Sequence, residues 1–150
     1  MSQSLSKVLV HLIFSTKHRT PRITPDIQPA LHRYLGGIFR QWQSPALRIG
    51  GVEDHIHALF LLSKNYALAK IVQEVKSWSS TWIKTQGPEF CGFHWQNGYG
   101  AFSIPANAGD TVCNYISRQE AHHRTESFKM EFRRIMREHG IEIDERYVWD

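Results

Sequence analysis

The sequence predicts an α+β fold of the ferredoxin-like βαββαβ type: a four-stranded antiparallel sheet with helices on one face, extended by two further helices after the last strand. Three observations carry this. The chain opens on an unbroken apolar run, the hydrophobic period then switches in the order strand, helix, strand, strand, helix, strand, and two amphipathic stretches close the sequence.

The run from about Lys7 to Ser15, KVLVHLIFS, is rich in β-branched residues and reads as a strand covered on both faces. A basic polar stretch from Thr16 to Arg22 follows. From about Asp26 to Trp42, Leu31, Leu35, Ile38 and Trp42 recur at helical spacing, with Pro29 suited to the first turn and Gly36-Gly37 weakening the second half. Leu47 to Val52 and His55 to Leu62 are two short strands, joined through Glu53-Asp54 as a tight hairpin. Leu68, Ile71, Val72, Val75, Ser79 and Trp82 trace a helix that Gly87-Pro88 ends. A last strand falls between Phe93 and Ile104, broken at Gly98 to Gly100. Asp110 is the expected cap of a helix over about 111–123. A final amphipathic helix over about 126–139 carries Phe128, Phe132, Ile135 and Met136 on one face and stops at Gly140. The sheet face away from the first two helices is left for a site or a partner.

Length and composition narrow the class. At 150 residues the chain is expected to be one domain, residues 1–150, and 41% hydrophobic residues suffice for a core. No apolar run reaches the length of a membrane span, and the start, Met1 to Ser4, lacks the basic and apolar stretches of a secretory signal. Cys91 and Cys113 are too few for a disulfide framework. A reduced, cytoplasmic protein without a membrane partner is expected. The charge of +4 permits a polyanionic partner. Nine histidines are more informative, because imidazole is a common metal ligand and proton carrier.

Two clusters stand out. In His55-Ile56-His57, strand alternation turns both imidazoles to one face, where they can reach one metal ion; the competing reading is a pair of satisfied histidines at a sheet surface. In the helix after Asp110, Val112, Tyr115, Ile116, Gln119, His122 and His123 share one stripe. A purely structural stripe rarely sets a glutamine and two histidines just beyond a tyrosine. Gln119 can offer a neutral oxygen to the metal, with Glu120, His122 and His123 as alternatives nearby, and Tyr115 can present a hydroxyl beside it. A divalent cation polarises a phosphate, and a tyrosine that attacks phosphorus stores the bond as a phosphotyrosine for later rejoining. No general base for Tyr115 stands out. The basic stretch with Lys17, Arg19 and Arg22, and Arg118 and Arg124 around the tyrosine helix, are candidate DNA contacts, set against ordinary solvated positions. Trp78, Trp82 and Trp95 are candidates for stacking on unpaired bases, although Trp82 sits on an apolar stripe. Lys129, Arg133, Arg134 and Arg137 read as a solvated helix face.

With the HIH of His55 to His57, WQNGYGAFSI at Trp95 to Ile104, YISRQEAHH at Tyr115 to His123, FSTKHR at Phe14 to Arg19 and DERYVW at Asp144 to Trp149, the chain closely resembles the single-tyrosine HUH transposases of small insertion sequences. The resemblance extends to domesticated relatives associated with repeated extragenic palindromes, and the motifs fit both. It covers essentially the whole chain. It implies a homodimer that binds single-stranded DNA with hairpin ends. It also implies Mg²⁺ or Mn²⁺ held by His55, His57 and Gln119, and Tyr115 as the nucleophile forming a 5′-phosphotyrosine and freeing a 3′-hydroxyl. The helix over 111–123 is then the nucleophile helix, serving its own subunit or completing the partner's site. Imidazole ligands suit Mn²⁺ better than Mg²⁺. Two rivals remain: a non-catalytic single-stranded nucleic-acid-binding module and a metal-dependent hydrolase without a covalent step.

Overall fold

The computed structural model describes residues 2–150. The opening apolar run forms β1 (Leu9–Ser15), buried along its whole length. The amphipathic segment after it forms α1 (Gln28–Gln41), with Pro29 in the first turn. Strands β2 (Ala46–Val52) and β3 (His55–Leu61) form the hairpin, and α2 (Leu68–Ile83) and β4 (Gly100–Ile104) complete the βαββαβ order. The sheet runs β2-β3-β1-β4, with every neighbouring pair antiparallel.

Side-chain alternation divides the sheet into two faces. Val10, Leu12 and Phe14 of β1 and Ile56, Ala58 and Phe60 of β3 point toward α1 and α2, where Leu31, Leu35, Phe39, Ile71, Val72 and Val75 close an apolar core. Leu9, His11 and Ile13 of β1 and His55, His57 and Leu59 of β3 take the opposite face. Beyond β4 the chain forms α3 (Gly109–Ser117), α4 (Gln119–His122) and α5 (Phe128–Glu138). The face expected to be free is covered by these helices. Ile116 of α3 packs with Leu9 and Leu59, while Phe128, Phe132, Ile135 and Met136 of α5 pack with Ile13 and Phe102. Gly50 of β2 permits the close approach of α3: a Cβ there would fall 2.5 Å from the Ile116 carbonyl oxygen.

Three local expectations change. The helix expected over 111–123 is two helices, because Arg118 (φ −104°, ψ 18°) leaves helical geometry and turns the chain between Tyr115 and Gln119. Asp110 does not cap: α3 begins at Gly109 after Ala108 without a side-chain cap, and Asp110 sits in the first turn, where a negative charge suits the helix dipole. The last strand is shorter than expected, since residues 93–99 join the backbone pairing of the sheet only at a bridge between Thr16 and Trp95. At the start of α5 Ser127 supplies the cap by accepting from the Met130 amide. Among the described residues no helix is long and apolar enough to cross a membrane.

Candidate active site

The alternation of β3 places His55 and His57 side by side, their ring centres 5.1 Å apart, and both are fully buried under the C-terminal helices. Glu131 of α5 completes the centre. It shares the apolar stripe of Phe128, Phe132 and Ile135 at i, i+3, i+4, i+7 spacing, so the helix that packs on the sheet carries a carboxylate into its interior. Glu131 is fully buried. His57 Nε2 lies 3.0 Å and His123 Nε2 3.1 Å from its Oε1, and the Gln119 amide donates to its Oε2 at 3.2 Å. The Tyr115 hydroxyl donates a short hydrogen bond to the same carboxylate. An uncompensated buried carboxylate costs several kcal/mol, and this ring of donors is what makes the position tolerable.

Electrostatics follow from that ring. Burial disfavours charge on Glu131, yet the surrounding imidazoles hold its carboxyl far below the ordinary carboxylate range. Burial also disfavours charge on His55, but Asp54 and Glu131 outweigh it and push the imidazole up to about 9. Both its ring nitrogens face oxygen: Nδ1 donates to Asp54 Oδ1 at 2.7 Å and Nε2 to Gln119 Oε1 at 3.1 Å. His57 is pulled down to about 4, chiefly by burial. Behind it His11, lowered to about 3 by burial and by His57, holds His57 Nδ1 through Nε2 at 2.8 Å. Burial and the Glu131 charge raise the Tyr115 phenol well above its usual value.

The donor atoms of His55, His57, His123 and Glu131 lie within 4.8 Å of one another. Gln119 Oε1 joins them, 3.1 Å from His55 Nε2 and 2.9 Å from His123 Nε2. Nitrogen and oxygen donors converging on one point, one of them an ionised carboxylate, fit a divalent cation. The Asp54 carboxylate behind His55 and the His11 ring behind His57 supply the outer hydrogen bonds that orient metal-binding imidazoles. Tyr115 stands at the edge of this group, its ring 5.8 Å from that of His57.

The structure thus brings together His55, His57, Gln119 and Tyr115. It adds His123, which the sequence offered only as an alternative near Gln119, and Glu131, which sequence reasoning missed. The signal for Glu131 was present: a lone carboxylate on the apolar stripe of an amphipathic helix. The basic candidates lie at the periphery. Lys17 to Arg19 form a single 3₁₀ turn leaving β1 at the end where Ser15 pairs with His55. Lys17 is exposed and Arg22 half-buried, while Arg19 donates to the Trp149 carbonyl at 3.0 Å. Arg118 and Arg124 are exposed on either side of α4. Trp95 is not open to a base: it is buried against Phe14 and Phe93, and its indole donates to Ser79 Oγ at 3.0 Å. Arg134 is not merely solvated either, because it reaches Tyr115 at 2.9 Å.

Comparison with known proteins agrees in fold. The family model described as IS200-like transposase matches residues 4–119, a span that ends at Gln119 and leaves Glu131 beyond it. A structure described as a candidate transposase from Deinococcus radiodurans R1 is similar at 20% identity and a TM-score of 0.62, covering 79% of this chain and 98% of that one. A REP-associated tyrosine transposase bound to a REP hairpin is similar at 16% identity and a TM-score of 0.59, covering 82% of this chain and 74% of that one. No curated protein matches the chain.

Proposed function

The chain belongs to the IS200-like transposase family, and from that premise we propose that it cuts and rejoins single-stranded DNA at hairpin-bearing ends through a 5′-phosphotyrosine on Tyr115. The observation that carries this reading is the Tyr115 hydroxyl bonded to the carboxylate that also meets His57 and His123. A phenol poised at the rim of a nitrogen and oxygen donor cluster is a nucleophile next to a charge-neutralising site.

In the first transfer, Tyr115 Oη forms a bond to phosphorus and the bond from phosphorus to the 3′ oxygen breaks. The phenolic proton is released to water and the departing 3′ oxygen takes one up, so the exchange is neutral and the ester bond is conserved. Reversal by a different 3′-hydroxyl rejoins the strands. Glu131 orients the phenol by accepting its hydrogen bond. Asp54 and His11 hold the two imidazoles of the HIH motif. Mg²⁺ or Mn²⁺ is the cofactor we assign to His55, His57, Gln119, His123 and Glu131, and the imidazoles favour Mn²⁺. When bound, such an ion draws charge from the non-bridging oxygens of the scissile phosphate.

Lys17, Arg19, Arg22, Arg118 and Arg124 are assigned to DNA backbone contacts. The similarity in fold to a transposase bound to a REP hairpin supports hairpin DNA as the substrate. The cytoplasm is the expected place of action. We further assign a homodimer as the working form; the contact of Tyr115 with Glu131 of the same chain supports a tyrosine that serves its own subunit within it. The test is incubation with labelled single strands from both flanks of the chain's own gene, with Mn²⁺, resolved on a denaturing gel. Wild type should give a covalent adduct whose formation a chelator, added beforehand, prevents. Tyr115→Phe should give none while binding the hairpin with unchanged affinity. Cutting by Tyr115→Phe would establish the hydrolase instead, and binding without cutting by wild type would establish the non-catalytic module.

A further inference from the structure

Arg134 lies on α5 one turn beyond Glu131, and its guanidinium is held at three corners. Nε donates to Glu126 Oε1 at 3.2 Å, Nη1 to Glu138 Oε1 at 3.1 Å, and Nη2 to Tyr115 Oη at 2.9 Å. Its carbon sits 5.8 Å above the Tyr115 ring, and Nη2 is also 3.4 Å from His122 Nε2. The Tyr115 oxygen therefore stands between an anion and a cation: it donates to Glu131 and accepts from Arg134. Beside them opens a cavity of about 210 Å³, whose lining includes His11, Thr111, Tyr115, Arg134 and His139. A structural ion pair would be complete with Glu126 and Glu138 alone. The third corner faces the reacting atom and the open space next to it.

We propose that Arg134 is a catalytic residue of the transfer, pairing with a non-bridging oxygen of the scissile phosphate as Tyr115 bonds to phosphorus. This rests on the phosphotyrosine reading above. Guanidinium is suited to the task, since it matches phosphate oxygens in a planar, charge-assisted fork and never deprotonates at working pH. Glu126 and Glu138 hold it in place before the phosphate arrives, so little reorganisation accompanies the reaction. On binding, Nη2 exchanges the phenol oxygen for a non-bridging phosphate oxygen, which lies two bonds beyond Oη once the new ester bond forms. The bonds made and broken are those of the transesterification; Arg134 only supplies charge.

The experiment compares wild type, Arg134→Ala and Arg134→Lys on two strands: the cleaved single-stranded flank, and the same strand with a methylphosphonate at the scissile linkage, which removes the anionic oxygen. Arg134→Ala should lower the rate of adduct formation about 100-fold on the natural strand, Arg134→Lys should fall between, and hairpin affinity should be unchanged. On the methylphosphonate strand Arg134→Ala and wild type should react at the same rate. Equal rates on the natural strand would overturn the proposal. So would the same deficit on both strands, which is what a merely structural arginine produces, or a deficit in Arg134→Ala that vanishes once its folded fraction is accounted for by melting. Failure of wild type to form an adduct on any strand would instead overturn the phosphotyrosine reading, and this assignment with it.

Discussion

Strands β1 and β3 show one face to α1 and α2 and the other to α3, α4 and α5, and the two faces are packed by opposite rules. On the first, Phe14, Ile56 and Phe60 pack in an apolar cluster that includes Phe39, whose ring lies 4.8 Å from that of Phe60. On the second, His11, His55 and His57 meet Glu131, Gln119 and Tyr115, and apolar packing, through Ile116 of α3 and Phe128, Phe132, Ile135 and Met136 of α5, surrounds that polar group. Successive residues of the same strand thus serve stability and chemistry separately. The polar face can be this polar because the apolar face supplies the hydrophobic burial, and because each buried polar atom among these residues finds a partner.

The division predicts that damage to one face leaves the function of the other readable. The largest effect on stability should come from Phe60→Ala, which removes a fully buried ring and should cost about 4 kcal/mol. Thermal melting would show it, while adduct formation per folded molecule should stay at the wild-type level. Loss of adduct formation at full folding would break the separation.

A smaller effect tests how the second face is mounted. Gly50→Ala drives a methyl group against the Ile116 carbonyl and should cost about 2 kcal/mol, because backbone cannot yield as a side chain can. It should also slow adduct formation, since the displaced helix carries Tyr115. Gly37→Ala is the matching control: it lies in α1 with nothing near its Cβ, and should gain about 1 kcal/mol in helix propensity with activity unchanged.

The smallest effect concerns the C-terminal residues that lie over the second face. Glu145 accepts from Arg133 Nε at 2.7 Å and from the Trp149 indole at 2.7 Å, and these bonds pull its carboxyl down from 4.5 to about 2. A depressed carboxyl contributes stability above its unfolded value and loses it as pH falls through the folded one. The melting difference between wild type and Glu145→Gln should therefore be constant near neutrality and shrink as pH falls from about 4.5 toward 2. A difference that grows with acid would remove this clasp from the account. Because Glu145 is open to solvent, the clasp is worth little next to the ring of Phe60.

Much of the architecture was legible in the chain because it rests on local periodicity. An unbroken apolar run marked β1, and strand alternation turned His55 and His57 of β3 to one side. A period near 3.6 marked α1, α2 and α5, and the order of periods implied the sheet. The tyrosine, the histidine pair and Gln119 were legible too, as residue types unusual for the stripes they occupy. Tertiary structure alone decided the rest. It placed Glu131, 74 residues after His57, against both histidines of the motif, and set Arg134 against the phenol. It also broke the tyrosine helix at Arg118 and covered the sheet face that the pattern left open. Those outcomes depend on the angle at which α5 crosses the sheet and on the depth to which Gly50 lets α3 sink. Both are set by side-chain packing between segments far apart in the chain, which no repeat along the sequence encodes.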